Sequence, residues 1–152
     1  MNYWLVKTEP NTYSWDDLKS LPGKKDHWEG VRNYKARNYL RKMKGGDRAF
    51  FYHSVVQPMS IMGIVEVVRE AYPDSTQFDP KSKYYDSKSP KDNPRWSMVD
   101  VQYKSDFNPP ITRDELKEVR GLEKMVLLKK GTRLSVQPVT PEEWKIILSL
   151  RK

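Results

Sequence analysis

Two tryptophans stand at loop junctions, beside amide and guanidinium side chains that could bind the polar edge of a nucleobase. Trp28 precedes a basic segment in the sequence HWEGVRN, and Trp96 follows a long loop in the sequence NPRWSM. An indole ring can stack on a base, while neighbouring Asn and Arg side chains bind its edge. The pattern is compatible with a nucleobase pocket. The alternative is that both indoles only fill a core.

The positive charge of the chain is concentrated in one segment. The chain has 152 residues, with 28 Lys and Arg against 20 Asp and Glu, and a formal net charge of +8. Residues 19–48 contain ten basic and three acidic groups, so this segment carries nearly all of the excess. A localised basic segment favours a phosphate-binding surface. A solvated, lysine-rich face is the alternative.

One histidine could act as a base, although the sequence identifies no partner for it. His53 lies in the sequence FYHS, at the end of a predicted strand. A catalytic base needs a reachable proton and an orienting group, and neither can be identified from the sequence. We therefore favour a histidine that is hydrogen-bonded in place and orients a neighbouring strand.

The composition excludes several classes of protein. The chain has no Cys and two His, which excludes a disulfide scaffold, a thiolate zinc site and a cysteine nucleophile. We expect no metal and no cofactor, since the sequence also lacks a glycine-rich phosphate loop and a nucleophile elbow. Its apolar stretches are far shorter than the roughly 20 residues that span a bilayer. No targeting segment is visible, so we expect an intracellular protein without membrane contact.

Short strands and helices in irregular order must position these residues. Strands are predicted at residues 3–7, 48–54, 61–72, 96–104 and 133–139. Helices are predicted after the N-cap candidates Ser14, Asn33, Thr112 and Thr140, with a further helical piece at residues 122–128. Because strands and helices do not alternate regularly, we expect an α+β fold with a strongly curved mixed sheet. A chain of this length suits a single domain over residues 1–152.

Six segments, in order along the chain, carry a resemblance to a known family. They are YWLVKTEP at 3–10, WEGVRNYKARNYLRKMKGGD at 28–47, FFYHS at 50–54, GIVEVVREAYPDSTQFDP at 63–80, RWSMVDV at 95–101 and RLSVQPVTPEEW at 133–144. Together they resemble the EVE domain family of the PUA-like superfamily, which is related to the YTH and ASCH domains. The resemblance implies a PUA-like pseudo-barrel of about five to six strongly curved mixed strands, with helices packed around it. It also implies a pocket that accepts a flipped, often modified nucleobase in DNA or RNA.

The resemblance further implies roles for individual residues. Trp28 resembles the cage tryptophan that stacks on the base in YTH domains. The other base-pocket candidates lie at strand ends or near the start of the basic helix: Lys7, Thr8, Glu9, Val31, Asn33, Arg37, Tyr52, His53, Ser54, Ser135, Gln137 and Pro138. The candidates for a second aromatic wall are Tyr84, Tyr85 and Trp96, and those for phosphate contacts are Arg32, Lys35, Arg41, Lys42 and Lys44. For Asn33 an N-cap role competes with base contact, and we favour the N-cap.

We predict a monomeric, non-enzymatic binding module for nucleic acid that bears a modified base. The alternative is a small nucleic-acid-processing enzyme, such as an RNase or a base-modifying hydrolase, that uses His53 with a carboxylate or Lys7 in the same pocket. A third hypothesis is a protein-interaction domain whose basic face binds acidic partners. A bacterial host would place the protein in the cytoplasm, and a eukaryotic host would allow the nucleus. The sequence distinguishes neither DNA from RNA nor one base modification from another.

Overall fold

The computed structural model describes residues 1–151, in which six strands form one mixed sheet. The strands are β1 (Tyr3–Thr8), β2 (Lys25–His27), β3 (Arg48–His53), β4 (Ser60–Pro73), β5 (Ser97–Thr112) and β6 (Val136–Val139). Their order in the sheet is β2-β5-β4-β3-β1-β6, with β1 parallel to β3 and the other neighbours antiparallel. The predicted α+β class with a mixed sheet is confirmed. The sheet is not closed into a barrel, since β2 and β6 are its two edges.

The described residues also include four α-helices, whose starts follow from capping residues. The helices are α1 (Trp15–Lys19), α2 (Tyr34–Lys42), α3 (Arg113–Lys117) and α4 (Pro141–Ser149). Each predicted N-cap side chain accepts a hydrogen bond from the backbone N–H three residues further on: Ser14, Asn33, Thr112 and Thr140. Such caps satisfy N–H groups that a helix leaves unpaired. The N-cap role favoured for Asn33 is therefore confirmed.

Alternation along the strands builds a core on each face of the sheet. In β3, Phe51 belongs to a cluster that contains Trp28, whereas Phe50 and Tyr52 belong to a second cluster that contains Trp144. Successive residues of a strand point to opposite faces, so neighbours in sequence enter different clusters. Helix α2 packs into the first cluster and α4 into the second. Because a core cluster covers each face, the sheet holds the residues at its strand ends in fixed positions.

Strand β4 is closely packed at Gly63 and is paired irregularly with β5. A Cβ at Gly63 would lie 2.3 Å from both the Ser105 carbonyl oxygen and the Trp15 ring, so glycine alone permits this approach. Register shifts also interrupt the pairing of β4 with β5 at four places, and bulges of this kind increase local bending. Trp28, just after the edge strand β2, lies with its ring centroid 5.5 Å from that of Phe51 in the interior strand β3.

Some elements differ from the sequence prediction. Strand β2 was not predicted, because Lys-Asp-His is polar and only three residues long. Strand β5 continues well past Lys104, because pairing of Ile111 with Ile61 and of Thr112 with Ser60 carries it through a proline pair. The predicted helical piece at residues 122–128 is helical only as a 3₁₀ turn at Val126–Leu128.

Candidate functional site

A cavity of about 860 Å³ lies where the ends of three strands meet. Thr8 at the end of β1 pairs with His53 at the end of β3, and the Ser54 N–H donates to the Thr8 carbonyl oxygen at 2.9 Å. The Lys7 N–H donates to the Ser135 carbonyl oxygen at 2.8 Å, just before β6. Backbone hydrogen bonds therefore fix the positions from which Lys7, Thr8, Ser54 and Ser135 line the cavity. Its volume is within the range of small-molecule sites.

Trp28 forms a fixed aromatic wall of this cavity. Its backbone N–H donates to the Val99 carbonyl oxygen at 2.7 Å, and the residue is only 7% exposed. Tyr13 and Phe51 pack edge-on against the indole, with centroid distances of 6.2 and 5.5 Å and interplanar angles of 88° and 84°. Edge-to-face contacts are favourable between aromatic rings. The core therefore holds the indole in one orientation beside the cavity.

The indole N–H of Trp28 is distinguished from those of three other tryptophans. In those three the indole N–H donates to a carboxylate: Trp4 to Asp47 at 3.0 Å, Trp15 to Asp106 at 2.7 Å and Trp96 to Asp86 at 2.7 Å. Within residues 1–151, the Trp28 Nε1 makes no such hydrogen bond. Trp28 can therefore offer a ligand both a ring and a donor.

Tyr84 reaches the cavity from the long loop between β4 and β5. Its ring packs on Gly30, where a Cβ would lie 2.5 Å from the Tyr84 Cζ. Gly30 has a φ of +86°, a left-handed conformation that glycine adopts without steric cost. The Arg32 side chain also donates to the Tyr84 carbonyl oxygen, from Nε at 3.0 Å and from Nη2 at 2.8 Å. These contacts hold Tyr84 beside the segment that carries Trp28.

A buried carboxylate anchors the same loop. Asp74 is 0% exposed and accepts hydrogen bonds from the Gly30 N–H at 2.9 Å and from the Arg32 Nη1 at 3.0 Å. Burial by itself would raise the pKa of the Asp74 carboxyl, but hydrogen bonds from Thr76, Gly30 and Arg32 hold that pKa below its ordinary value. Asp74 therefore stays ionised at neutral pH and joins the loop to the segment after Trp28.

Ionisable groups of both signs line the cavity. The basic ones are Lys7, Lys83 and Arg133, the acidic ones are Glu9, Asp26 and Glu29, and His27 lies among them. Burial, together with nearby Arg113, lowers the pKa of Lys7. The Tyr13 hydroxyl is buried without a hydrogen-bond partner among the described residues, and burial and the nearby Asp26 carboxylate raise its pKa. The cavity thus supplies donors and acceptors, which the edge of a nucleobase requires.

The structure brings together eight of the residues that the sequence singled out. All eight line this same cavity, and they come from the ends of β1 and β3, the segment after β2, the long loop and the residues before β6. They are Lys7, Thr8, Glu9, Trp28, Val31, Ser54, Tyr84 and Ser135. Segments far apart in the chain therefore converge at this site.

Three predicted strand residues lie away from the cavity. Tyr52 faces the opposite side of the sheet and is 1% exposed in the second core cluster, because it alternates with Phe51. Gln137 is buried as well, and its Nε2 donates to the Leu134 carbonyl oxygen at 2.9 Å. The His53 Nε2 accepts the backbone N–H of Trp15 at 3.0 Å, and burial lowers the pKa of this imidazole. Neutral His53 therefore holds the start of α1.

Other candidates also lie outside the lining. Trp96 stacks on Tyr34, with ring centroids 4.9 Å apart and an interplanar angle of 23°. Tyr85 is 44% exposed, next to the Tyr84 that does line the cavity. Pro138 pairs with Trp4 inside the sheet. The two aromatic residues that share the cavity wall with Trp28 are therefore Tyr13 and Tyr84.

The residues predicted to contact phosphate divide into two groups. Arg32 pairs with Asp74 at 3.0 Å, and the Arg41 Nε donates to the Ser97 Oγ at 3.0 Å. Arg37, predicted for the base pocket, similarly donates from Nη1 to the Arg95 carbonyl oxygen at 2.9 Å. These guanidinium groups hold the long loop. The lysines of the group are exposed on or just after α2: Lys35, Lys42 and Lys44.

Sequence reasoning missed nine of the lining residues. They are Thr12, Tyr13, Asp26, His27, Glu29, Gly30, Val55, Lys83 and Arg133. Five of them could have been predicted from their proximity in sequence to predicted site residues, since residues 26, 27, 29 and 30 flank Trp28 and Val55 follows Ser54. Lys83 and Arg133 lie in loops, and their position depends on how those loops pack.

Among residues 1–151, no three His, Asp or Glu side chains are grouped in a way that could hold a metal ion. No helix of this range combines the length and the apolar character needed to cross a bilayer. The expectation of a site without metal or cofactor stays a prediction.

Known proteins match nearly the whole chain. The EVE domain family matches residues 2–150. Thymocyte nuclear protein 1 of Gallus gallus is 46% identical over 166 aligned residues, which cover 99% of this chain and 69% of that protein. A crystal structure from Pseudomonas putida has a TM-score of 0.93 at 47% identity and covers 99% of both chains. Human THYN1 in complex with 5-methylcytosine-containing DNA has a TM-score of 0.94 at 44% identity, covering 99% of this chain and 97% of that one.

Proposed function

The chain belongs to the EVE domain family, and from this premise we propose that it is a binding module for nucleic acid that bears a modified base. The observation that carries the proposal is the cavity walled by Trp28 and Tyr84, with donors and acceptors around it. Support also comes from human THYN1, whose structure is a complex with 5-methylcytosine-containing DNA. The modified base leaves its strand and enters the cavity.

Stacking on Trp28 is the main recognition force in this proposal. Stacking of a base on an aromatic side chain contributes about 1–3 kcal/mol, and the indole is already immobilised by Tyr13 and Phe51. Little side-chain entropy is therefore lost on binding. A flat ring that excludes water from one face of the base also favours a methylated over an unmethylated base, because the methyl group adds apolar area.

Polar side chains at the strand ends bind the edge of the base. Lys7 and the Trp28 indole N–H are donors, while Glu9, Asp26 and Glu29 are acceptors, as an exocyclic amino group requires. Thr8 Oγ1 already donates to the Tyr13 carbonyl oxygen at 2.8 Å, so this hydroxyl is left mainly as an acceptor. The exposed lysines of the α2 region contact phosphates of the flanking strand. These contacts contribute to the binding affinity whatever the base sequence.

Binding without turnover is proposed rather than hydrolysis. The enzyme hypothesis relied on His53 as a base, but its Nε2 accepts the Trp15 N–H at 3.0 Å and lies outside the cavity lining. Incubating the protein with end-labelled modified DNA and RNA should leave both polymers intact. Cleavage, or loss of the modification, would favour the enzyme instead.

Replacing Trp28 tests the proposal. We expect Trp28→Ala to lower affinity for an oligonucleotide with one modified base about tenfold, equivalent to about 1.4 kcal/mol. Trp28→Phe should lose less, because a smaller ring still stacks. Trp15→Phe is the matched control, since Trp15 is buried in the same core cluster but does not line the cavity. A folded Trp28→Ala variant with unchanged affinity would overturn the assignment.

The domain organisation, oligomeric state and cellular location of the chain are also proposals. We propose one domain over residues 1–152 that acts as a monomer. We also propose that it acts inside the cell, in the bacterial cytoplasm or the eukaryotic nucleus according to host. Sedimentation of the protein with and without a modified oligonucleotide should give one copy per site.

A further inference from the structure

The turn between β3 and β4 exposes two valines at the mouth of the cavity. Val55 is 71% exposed and Val56 is 37% exposed, although valine is among the residues most often buried. Val55 also lines the cavity itself, next to Ser54. An apolar tip therefore projects into solvent directly beside the proposed base site.

The backbone of Val55 is strained. Its φ is +53°, a left-handed conformation that is a real outlier for a β-branched residue. The one other non-glycine residue with a positive φ in the described chain is Lys24, which has no β-branch. Strained conformations persist only where the surroundings impose them, and they concentrate at functional sites. Here the Ser54 N–H, bonded to the Thr8 carbonyl oxygen at 2.9 Å, fixes the start of the turn.

Basic residues lie on both sides of this apolar tip, although the carboxylates of Glu9, Asp26 and Glu29 line the same cavity. Lys7 and Arg133 line the same cavity as Val55. On the other side of the turn, the backbone N–H of Arg113 donates to the Met59 carbonyl oxygen at 2.8 Å, which places Arg113 beside the β4 end of the turn. Cationic groups around an apolar protrusion suit a polyanion with apolar surface in its interior, which describes a stacked nucleic-acid duplex.

We propose that Val55 and Val56 form a wedge that enters a duplex and occupies the space left by the base held against Trp28. The proposal rests on the proposed function and adds that the substrate is double-stranded. Apolar side chains inserted between base steps unstack and open a duplex, and a flipped base leaves a gap that such a group can fill. A single strand has no such gap. The wedge therefore favours duplex over single-stranded substrate.

Variants at Val55 distinguish an effect on duplex binding from an effect on the stability of the fold. Val55→Asn keeps a side chain of similar size, tolerates a positive φ and removes the apolar character. Val55→Gly removes the side chain and the strain together. Both variants should unfold at the wild-type temperature or above it. Val68→Thr is the control, because Val68 is likewise exposed, at 40%, but lies on β4 outside the cavity lining.

The experiment compares a duplex carrying one 5-methylcytosine with the matching single strand. We expect both Val55 variants to lose about tenfold more affinity for the duplex than for the single strand, a difference of about 1.4 kcal/mol. Fluorescence of 2-aminopurine next to the modified base should rise with wild type and with Val68→Thr, and rise less with the Val55 variants. Equal losses on both substrates, or unchanged duplex binding, would overturn the wedge. If wild type binds neither substrate, the proposed function itself fails and the wedge fails with it.

Discussion

The ring of Tyr84 lies against the α-carbon of Gly30, so closely that a Cβ on Gly30 would be 2.5 Å from the Tyr84 Cζ. The contact joins the long loop to the segment that begins at Trp28. It brings a second aromatic residue to a cavity whose first wall comes from a distant part of the chain. The shape of the cavity therefore depends on having glycine, which has no side chain, at position 30.

Gly30→Ala should damage both the fold and the site. The added Cβ meets the Tyr84 ring and the φ of +86° is unfavourable for alanine. Gly46→Ala is a matched control, because Gly46 has a φ of +94° but no atom within 4 Å of its would-be Cβ. We expect Gly30→Ala to lower the free energy of unfolding by about 1 kcal/mol more than Gly46→Ala in urea titrations. It should also weaken binding of a modified oligonucleotide several-fold, which Gly46→Ala should not do.

Asp74→Asn should loosen the loop that carries Tyr84. The substitution leaves the Arg32 guanidinium without its buried partner, and removal of one member of such a pair costs about 3 kcal/mol. Asp79→Asn, in the same loop but exposed, is the control. Thermal unfolding should show a large loss for Asp74→Asn and almost none for Asp79→Asn. Equal stability of the two variants would mean that the pair does not anchor the loop.

His53 should contribute to the pH dependence of stability. Burial lowers the pKa of His53 in the folded protein, despite an opposing effect of Asp16, so the unfolded chain binds this proton more readily. The stabilisation is therefore complete above the unfolded pKa of about 6.5 and is lost as the pH falls through the folded pKa. Between about pH 7.5 and about pH 5, the free energy of unfolding should fall further for wild type than for His53→Gln. Parallel falls would contradict the neutral, hydrogen-bonded role.

The exposed lysines near α2 should determine the salt dependence of binding. Each phosphate contact that is lost should reduce the slope of log affinity against log salt by about 0.9 for duplex DNA. We expect this reduction for Lys35→Ala and for Lys44→Ala. Lys117→Ala is the control, because Lys117 lies on α3, 3.7 Å from Asp114. A slope that responds equally to all three substitutions would argue against a phosphate-binding surface at α2.

Short-range sequence patterns correctly predicted most of the helices and strands that position the site. Capping residues located the starts of all four helices, because an N-cap acts through hydrogen bonds to its own helix. Strand alternation also determines which residues share a face of the sheet. Trp28 and Phe51 share a face, so the neighbouring Tyr52 must face the other side.

Contacts between distant segments could not be predicted from local patterns. The position of Tyr84 depends on Gly30 and on the Arg32–Asp74 pair, and none of these residues signals its partner in the sequence. The same holds for Trp96, which looks equivalent to Trp28 at a loop junction. Its indole donates to Asp86 at 2.7 Å and its ring stacks on Tyr34, so it stabilises the loop instead of lining the cavity.

Stacking of a modified base on Trp28 can be detected through the indole N–H signals in ¹H–¹⁵N NMR spectra. The five tryptophans give five such signals, and titration with a 5-methylcytosine oligonucleotide should move the Trp28 signal furthest, since a stacked base shifts it by its ring current. The signals of Trp4 and Trp15, whose indole N–H groups donate to Asp47 and Asp106, should stay nearly unchanged. A bound complex in which the Trp28 signal does not move, or moves no more than that of Trp15, would mean that the base does not stack on Trp28.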